Sequence, residues 1–329
     1  MLDVEGVNAH GEGMNRLSKA KRGLVIKIIS EGGSMRTASR VVGASINTVM
    51  KLVCEVGEAC AEYQDRNLRN LSCSELQLDE IHSFVGCREK SKKRALSAHP
   101  GDVWTWTALC PQTKLIPAWL IGDRSAGTAM EFCRDLGQRF SGRLQITSDG
   151  LPAYRFAVTS GFGECDFAQL VKIYGEDSEG KEIVVRTEKR IVCGNPDIER
   201  VSTSLVERSN LTLRMCSRRF TRKTNAFSKK IANHANALGL HFFIYNFCRK
   251  HGTIKTTPAI AAGVADKVWE IEDVIDMIDA YWDRVRPVAR PKFYKTGRAA
   301  DSMPKTFEPM PPKTPWYLDP NGQRPENSD

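Results

Sequence analysis

The sequence predicts an α/β protein: a mixed sheet flanked by helices, preceded by an all-α unit. Three observations predict it. Residues 14–56 carry apolar side chains at helical spacing, the texture changes from Ser74 to short β-branched and aromatic runs, and beyond Ser125 helical and strand patterns alternate. A charged fraction of 26% beside 41% hydrophobic residues is that of a folded soluble chain. No run approaches the roughly 18 uninterrupted apolar residues of a spanning helix. Met1-Leu-Asp-Val-Glu has neither the basic flank nor the apolar run of a signal peptide, so a cytoplasmic location is expected.

Residues 1–13 are rich in Gly, His and acids without periodicity and are expected to be a disordered extension, with Met14 an equally good start. Leu17, Leu24, Val25, Ile28 and Ile29 then mark a first helix that stops at Gly32-Gly33. A second runs from Ser34 to Val42, and a third starts near Ser45 and reaches about Val53. With Gly43 as the turn, Ala38, Val42, Ala44, Val49 and Leu52 fall where crossing helices touch, which is the pattern of a helix-turn-helix. Ser45, Asn47, Thr48 and Lys51 are left on the outer face of the third helix, where base edges and phosphates would be reached. Eight basic residues against two acids between Met14 and Glu55 favour DNA over a protein partner. This unit is assigned residues 14–70.

Leu76 to Val85 reads as a strand; Val103–Leu109 and Leu115–Ile121 form a hairpin around Pro111-Gln-Thr, with Trp104, Trp106 and Trp119 supplying bulk. Ser125 to Phe140 is helical, with Ala129, Phe132, Cys133 and Leu136 on one face. Leu144–Thr147 is a short buried strand ending at Ser148-Asp149-Gly150, residues 151–160 return to helix, and 185–193 suit an edge strand. Leu205 to Phe220 begins a long basic helix. Three strands, a helix, a fourth strand and later helices is the order of a ribonuclease-H-like domain, here residues 74–265, although order alone fits other α/β folds too. An acidic amphipathic helix follows at 266–285, and the Pro-rich, sparsely apolar run 286–329 is expected to be disordered.

The ten cysteines lack the close pairs of a zinc knuckle, so scattered reduced thiols and no zinc are expected. A net charge of +9 favours a polyanionic partner, and its distribution is more telling. From Arg208 to Ala265 there are eleven basic residues and no acid, a stretch that looks like a surface facing phosphates. Arg208, Arg214, Arg218, Arg219, Arg222, Lys223, Arg249 and Lys250 are its candidate DNA contacts, with His251 beside them.

Cutting a phosphodiester requires an activated attacking oxygen, a stabilised leaving oxygen and neutralised charge at phosphorus. Two Mg²⁺ or Mn²⁺ ions held by carboxylates supply all three. Asp79 within the first strand, Asp149 at the end of the fourth and Glu207 on the basic helix are the candidates. Spacing alone leaves structural roles open: a strand-edge charge for Asp79, a helix N-cap for Asp149, and a partner of Arg208 or Arg214 for Glu207. Glu80, one residue after Asp79, should point to the opposite strand face and is disfavoured as a ligand; His82 is read as structural.

Residues 15 to about 270 resemble DDE transposases of the bacterial insertion sequence 1 (IS-one) family. The likeness is carried in order by Leu78-Asp79-Glu80-Ile81-His82-Ser83-Phe84-Val85, by Thr147-Ser148-Asp149-Gly150-Leu151-Pro152-Ala153-Tyr154, and by Leu205-Val206-Glu207-Arg208-Ser209-Asn210-Leu211-Thr212-Leu213-Arg214. Tyr245-Asn246-Phe247-Cys248-Arg249-Lys250-His251 and Thr257-Pro258-Ala259 extend it. The resemblance implies that Asp79, Asp149 and Glu207 bind the metal ions and that Arg214 contacts phosphate. It also implies binding of terminal inverted repeats, strand cleavage and strand transfer by at least a dimer. An alternative is an inactive, transposase-derived DNA-binding regulator. Relatives carry a cysteine zinc finger ahead of the helix-turn-helix, whereas no Cys precedes Cys54 here, and the gap from Asp149 to Glu207 is long. Residues 163–200 are therefore expected to be an inserted hairpin folded clear of the triad.

Overall fold

A computed structural model describes residues 16–89, 101–177, 180–221 and 224–285; the expectations for 1–13 and 286–329, and for Arg222 and Lys223, lie outside them. Three helices come first: α1 (Lys19–Ser30), α2 (Met35–Val42) and α3 (Ile46–Asn67). Ser18, Ser34 and Ser45 each cap a helix by accepting a backbone N–H in the first turn, and Gly43 ends α2 at φ 64°, in the left-handed region that favours glycine. Ala38, Val42, Val49 and Leu52 are buried as the pattern requires. α3 runs well past Val53, because Val56, Ala59 and Cys60 extend its apolar stripe.

Its second half is packed into the rest of the molecule. A Cβ at Gly57 would lie 1.9 Å from the Asn236 carbonyl oxygen, and one at Gly239 would lie 2.4 Å from that of Gly57, so α3 and α7 (Ile231–Phe243) cross with backbones in contact. The acidic helix α9 (Ile271–Val285) closes the other side, with Asp279 accepting from Arg22 at 2.6 Å and also paired with Arg16. The all-α unit and the later helices therefore share one core.

The sheet holds six strands in the order β3-β2-β1-β4-β5-β6: β1 (Glu75–Val85), β2 (Gly101–Leu109), β3 (Trp119–Gly122), β4 (Gln145–Asp149), β5 (Asp166–Glu176) and β6 (Glu182–Cys193). β1, β2 and β3 are antiparallel, while β4 runs parallel to both β1 and β5. β3 is shorter than expected, because Lys114 takes a positive φ and Leu115 closes a turn onto Cys110 before the chain reaches Trp119. The segment expected to be an insertion is indeed a hairpin, but β5 pairs with the whole of β4 through its first five residues, Asp166 to Leu170, and so belongs to the central sheet. Helices α4 (Ala126–Gly137) and α5 (Ala153–Phe162) cover one face, where Trp106, Phe132 and Tyr154 are buried together. α6 (Ser204–Cys216) and α7 cover the other, and the short α8 (Pro258–Ala261) completes the chain order. α6 stops at Cys216 instead of Phe220, with a turn at residues 218–220 following it.

One thiol expectation is overturned: Cys73 and Cys110 form a disulfide, their Cα atoms 6.6 Å apart, while the other eight cysteines are free. The sequence separation of 37 hid a pair that the β1 and β2 ends bring together. Among the described residues no helix is long and apolar enough to cross a membrane.

Candidate metal and DNA-processing site

The parallel pairing of β1 and β4 runs from Glu75↔Gln145 to Leu78↔Ser148, so the next residue on each strand, Asp79 and Asp149, stand side by side where β4 ends, between the two central strands. Neighbouring strands lie about 4.8 Å apart, which brings the two carboxylates within reach of one cation. Glu80 joins them: one carboxylate oxygen from each of Asp79, Glu80 and Asp149 lies within 4.8 Å of the others. This corrects the expectation for Glu80. Its side chain does leave the opposite face of β1, but Asp149 closes β4 and can be approached from both faces.

Each acid is held by its own set of neighbours. Glu80 is buried and accepts from Arg124 Nε at 2.7 Å and from the Tyr154 hydroxyl at 3.1 Å. Asp149 is not the N-cap of α5, a position held by Pro152; its carboxylate accepts the Leu151 N–H at 3.0 Å in the turn before the helix, and its own carbonyl accepts from Gln169 Nε2 on β5 at 2.8 Å. Asp79 accepts from Asn210 Nδ2 on α6 at 2.7 Å. α6 is seated there by Gln77, two residues earlier on the same face of β1, whose Oε1 accepts the Leu205 and Val206 N–H groups at the helix start.

Burial drives the Asp79 carboxyl up to about 6, with Asp149 and Glu207 adding to the push and the Asn210 bond opposing it. Burial, then the charge on Asp149, raises Glu80 to about 7 against the pull of Arg124. A cation bound among acids this close would relieve the repulsion that holds them protonated. All three donors are hard oxygens, which suits Mg²⁺ or Mn²⁺.

Glu207 does not join this cluster. It lies on α6, near enough to raise Asp79, and its carboxylate is taken by Lys172 at 3.2 Å and by Thr203 at 3.1 Å. Neither Arg208 nor Arg214 is its partner in these bonds. Lys172 reaches it from β5, the strand the sequence pattern had set aside.

The predicted DNA contacts divide. Asn47, Lys51, Arg208 and Lys250 are exposed. Ser45 and Thr48 face outward, but the Ser45 hydroxyl is occupied by the N–H and hydroxyl of Thr48. Arg214 donates to the Phe220 carbonyl at 3.2 Å and Arg218 to that of Gly32 at 3.1 Å. Arg219 is half-buried and bonded to Ser228, and Arg249 binds Glu31 at 2.7 Å and Cys216 at 3.1 Å. The His251 ring is turned against Tyr245, 4.5 Å between centroids. His82 pairs with Asp102 at 3.2 Å and packs on Trp104, a structural role. Sequence reasoning missed Lys172, Gln169, Arg124 and Asn210; the last had one signal, its place three residues after Glu207 on the same helical face.

The chain matches no family model and no curated protein.

Proposed function

We infer that the chain is an insertion-sequence DNA transposase, related to the IS-one family and built on a ribonuclease-H-like core, that cleaves and joins DNA strands with divalent metal ions. The observation that carries this reading is the convergence of Asp79, Glu80 and Asp149 where β4 ends beside β1. Support for the fold assignment comes from a sheet in which β1 lies between an antiparallel β2 and a parallel β4, with the acids at the central β1/β4 junction.

Mg²⁺ or Mn²⁺ bound there would supply a Lewis acid and a water of lowered pKa. The chain's own part is to hold the donors. Arg124 and Tyr154 fix Glu80, Gln169 fixes the turn after Asp149, and Asn210 fixes Asp79. Glu207 is the carboxylate a second ion would draw away from Lys172. The helix-turn-helix would grip the terminal inverted repeats through Asn47 and Lys51, with Arg208 and Lys250 as further phosphate contacts. Synapsis of two ends calls for at least a homodimer, and a cytoplasmic, nucleoid-associated site of action follows from the substrate.

Purified protein given labelled element ends and Mg²⁺ or Mn²⁺ should cleave them and join them to target DNA, and Asp149→Asn should do neither. Equal activity in the variant would remove the proposed site. A second reading, a DNA-binding regulator without catalysis, is favoured by the capture of Glu207 by Lys172 and Thr203. Binding of the ends with no metal-dependent cleavage would establish it.

A further inference from the structure

A cleft of about 840 Å³ opens between the three N-terminal helices and the segment that follows α6. That volume is in the range of a ligand pocket, roughly 300–1,000 Å³, and is far too small for a duplex. Its cationic lining comprises Arg36, Arg218, Arg219, Lys229, Lys230 and Arg249; Arg249 is paired with Glu31 just outside the lining, and Arg218 and Arg219 are bonded to Gly32 and Ser228. Apolar surface comes from Ile46 and Met50 on α3, with Phe227 and Tyr245 opposite. Two buried polar atoms of lining residues, Ser30 Oγ and His241 Nε2, have no hydrogen-bond partner among the described residues. Such orphans are costly unless something else satisfies them.

We propose that this cleft receives one unpaired nucleotide of a DNA end, its base against Met50 and Tyr245, its base edge on Ser30 and His241, and its flanking phosphates on the cationic rim. The inference rests on the reading of the chain as a DNA-binding protein and deepens it. Apolar walls suit a base and no other part of DNA, whereas the exposed cations of the rim, Arg36 and Lys230, suit phosphate. His241 meets the base as a neutral ring, because burial and the nearby Arg249 hold it down to about 3. Ile46 and Met50 form a strip along α3 directly beside the strip of Asn47 and Lys51, so a duplex lying on the second strip can deliver a frayed end into the cleft. Cys216, at the other end of α6 from Glu207, also lines the cleft, about 14 Å along the helix at 1.5 Å per residue. The chain's own tail, residues 286–329, is net basic and is the poorer electrostatic match.

The test is fluorescence anisotropy in EDTA, with a labelled blunt duplex and the same duplex carrying a three-nucleotide single-stranded overhang. Wild-type protein should bind the overhang form about tenfold more tightly, the scale of one stacked base. Ala237→Trp, which fills the cleft from its α7 wall, should lose that difference while still binding the blunt duplex, and Ser30→Ala should lose part of it. Equal affinity of the wild type for both forms would overturn the proposal and leave duplex binding intact. So would an overhang preference that survives Ala237→Trp, or photocrosslinking of the cleft to residues 286–329 in place of the overhang. Failure to bind either DNA would instead remove the DNA-binding reading on which the proposal stands.

Discussion

Asn210 on α6 donates its side-chain amide to Asp79 Oδ2 on β1 at 2.7 Å, and this bond ties the helix that carries Glu207 directly to one of the buried acids. It favours the ionised carboxylate, the form a metal requires, against burial that favours the neutral one. Asn210→Ala should therefore weaken Mn²⁺ binding at pH 7 roughly tenfold, as loss of a bond to a metal-ligand side chain does. Calorimetric titration checks it, and an unchanged affinity would show that the metal does not depend on Asp79.

Glu80 makes stability depend on pH in a definite direction. Its carboxyl ionises at about 7 when folded, above the ordinary value of 4.5, so the native state binds the extra proton between those limits. Stability from this group is then present below pH 4.5 and lost as the pH rises through 7. Buried His234 and His241, both pulled down to about 3, act in the opposite sense and lose stability as the pH falls below 6.5. The two effects offset each other in the wild type. Glu80→Gln removes the first, so the wild-type minus variant stability should climb by up to about 1.4 kcal/mol per pH unit on going from pH 8 to 5. Urea unfolding in EDTA at each pH measures it, and a difference independent of pH would contradict the assigned burial.

Added Mg²⁺ should raise the unfolding temperature of the wild type by binding the native acid cluster and not the unfolded chain. Asp149→Asn should erase most of that rise. Thermal unfolding with and without the ion separates the two proteins, and an equal rise in both would place the ion elsewhere.

Gly57 and Gly239 let α3 and α7 touch backbone to backbone. Gly57→Ala puts a methyl where the Asn236 carbonyl stands, so the helices must separate, at a cost of about 1–3 kcal/mol. Because α3 serves both the helix-turn-helix and this packing, a single cooperative transition should shift as a whole. Loss confined to the N-terminal helices would contradict the shared core.

Thiol titration of the unfolded, unreduced protein purified without reductant should return eight free thiols, and ten after reduction. Cys73→Ser should then lose about 2–4 kcal/mol, the usual worth of a loop-closing bridge. Ten thiols before reduction would reject the pair.

The N-terminal helices were legible because their signals are local: serine caps at Ser34 and Ser45, a left-handed Gly43, and buried positions spaced for crossing helices. Asp79 and Asp149 were legible as acids in or ending otherwise apolar strands. β5 was not, because only Phe167, Ala168 and Gln169 of its eleven residues are buried and the rest reads as a polar arm. Losing β5 hid Lys172 and Gln169 with it. Strand alternation placed Glu80 on the correct face, yet it could not show that Asp149, ending its strand, serves both faces. The acid-free stretch after Glu207 also misled in part. Its arginines find carbonyls, a thiol and a carboxylate, and Glu31, the acid that meets Arg249, comes from the end of α1, more than two hundred residues earlier.

A helix of 22 residues is about 33 Å long at 1.5 Å per residue. α3 is such a rod: its first turns present Asn47 and Lys51 outward, and its last are clamped between α7 and α9. No linker separates the outward-facing end from the clamped one. The exposed tip is thus kept at a fixed bearing and distance from the acids of β1; under the proposed function, the interval between the DNA held and the bond cut would be set by rigid geometry and change in steps, with turns of helix added or removed.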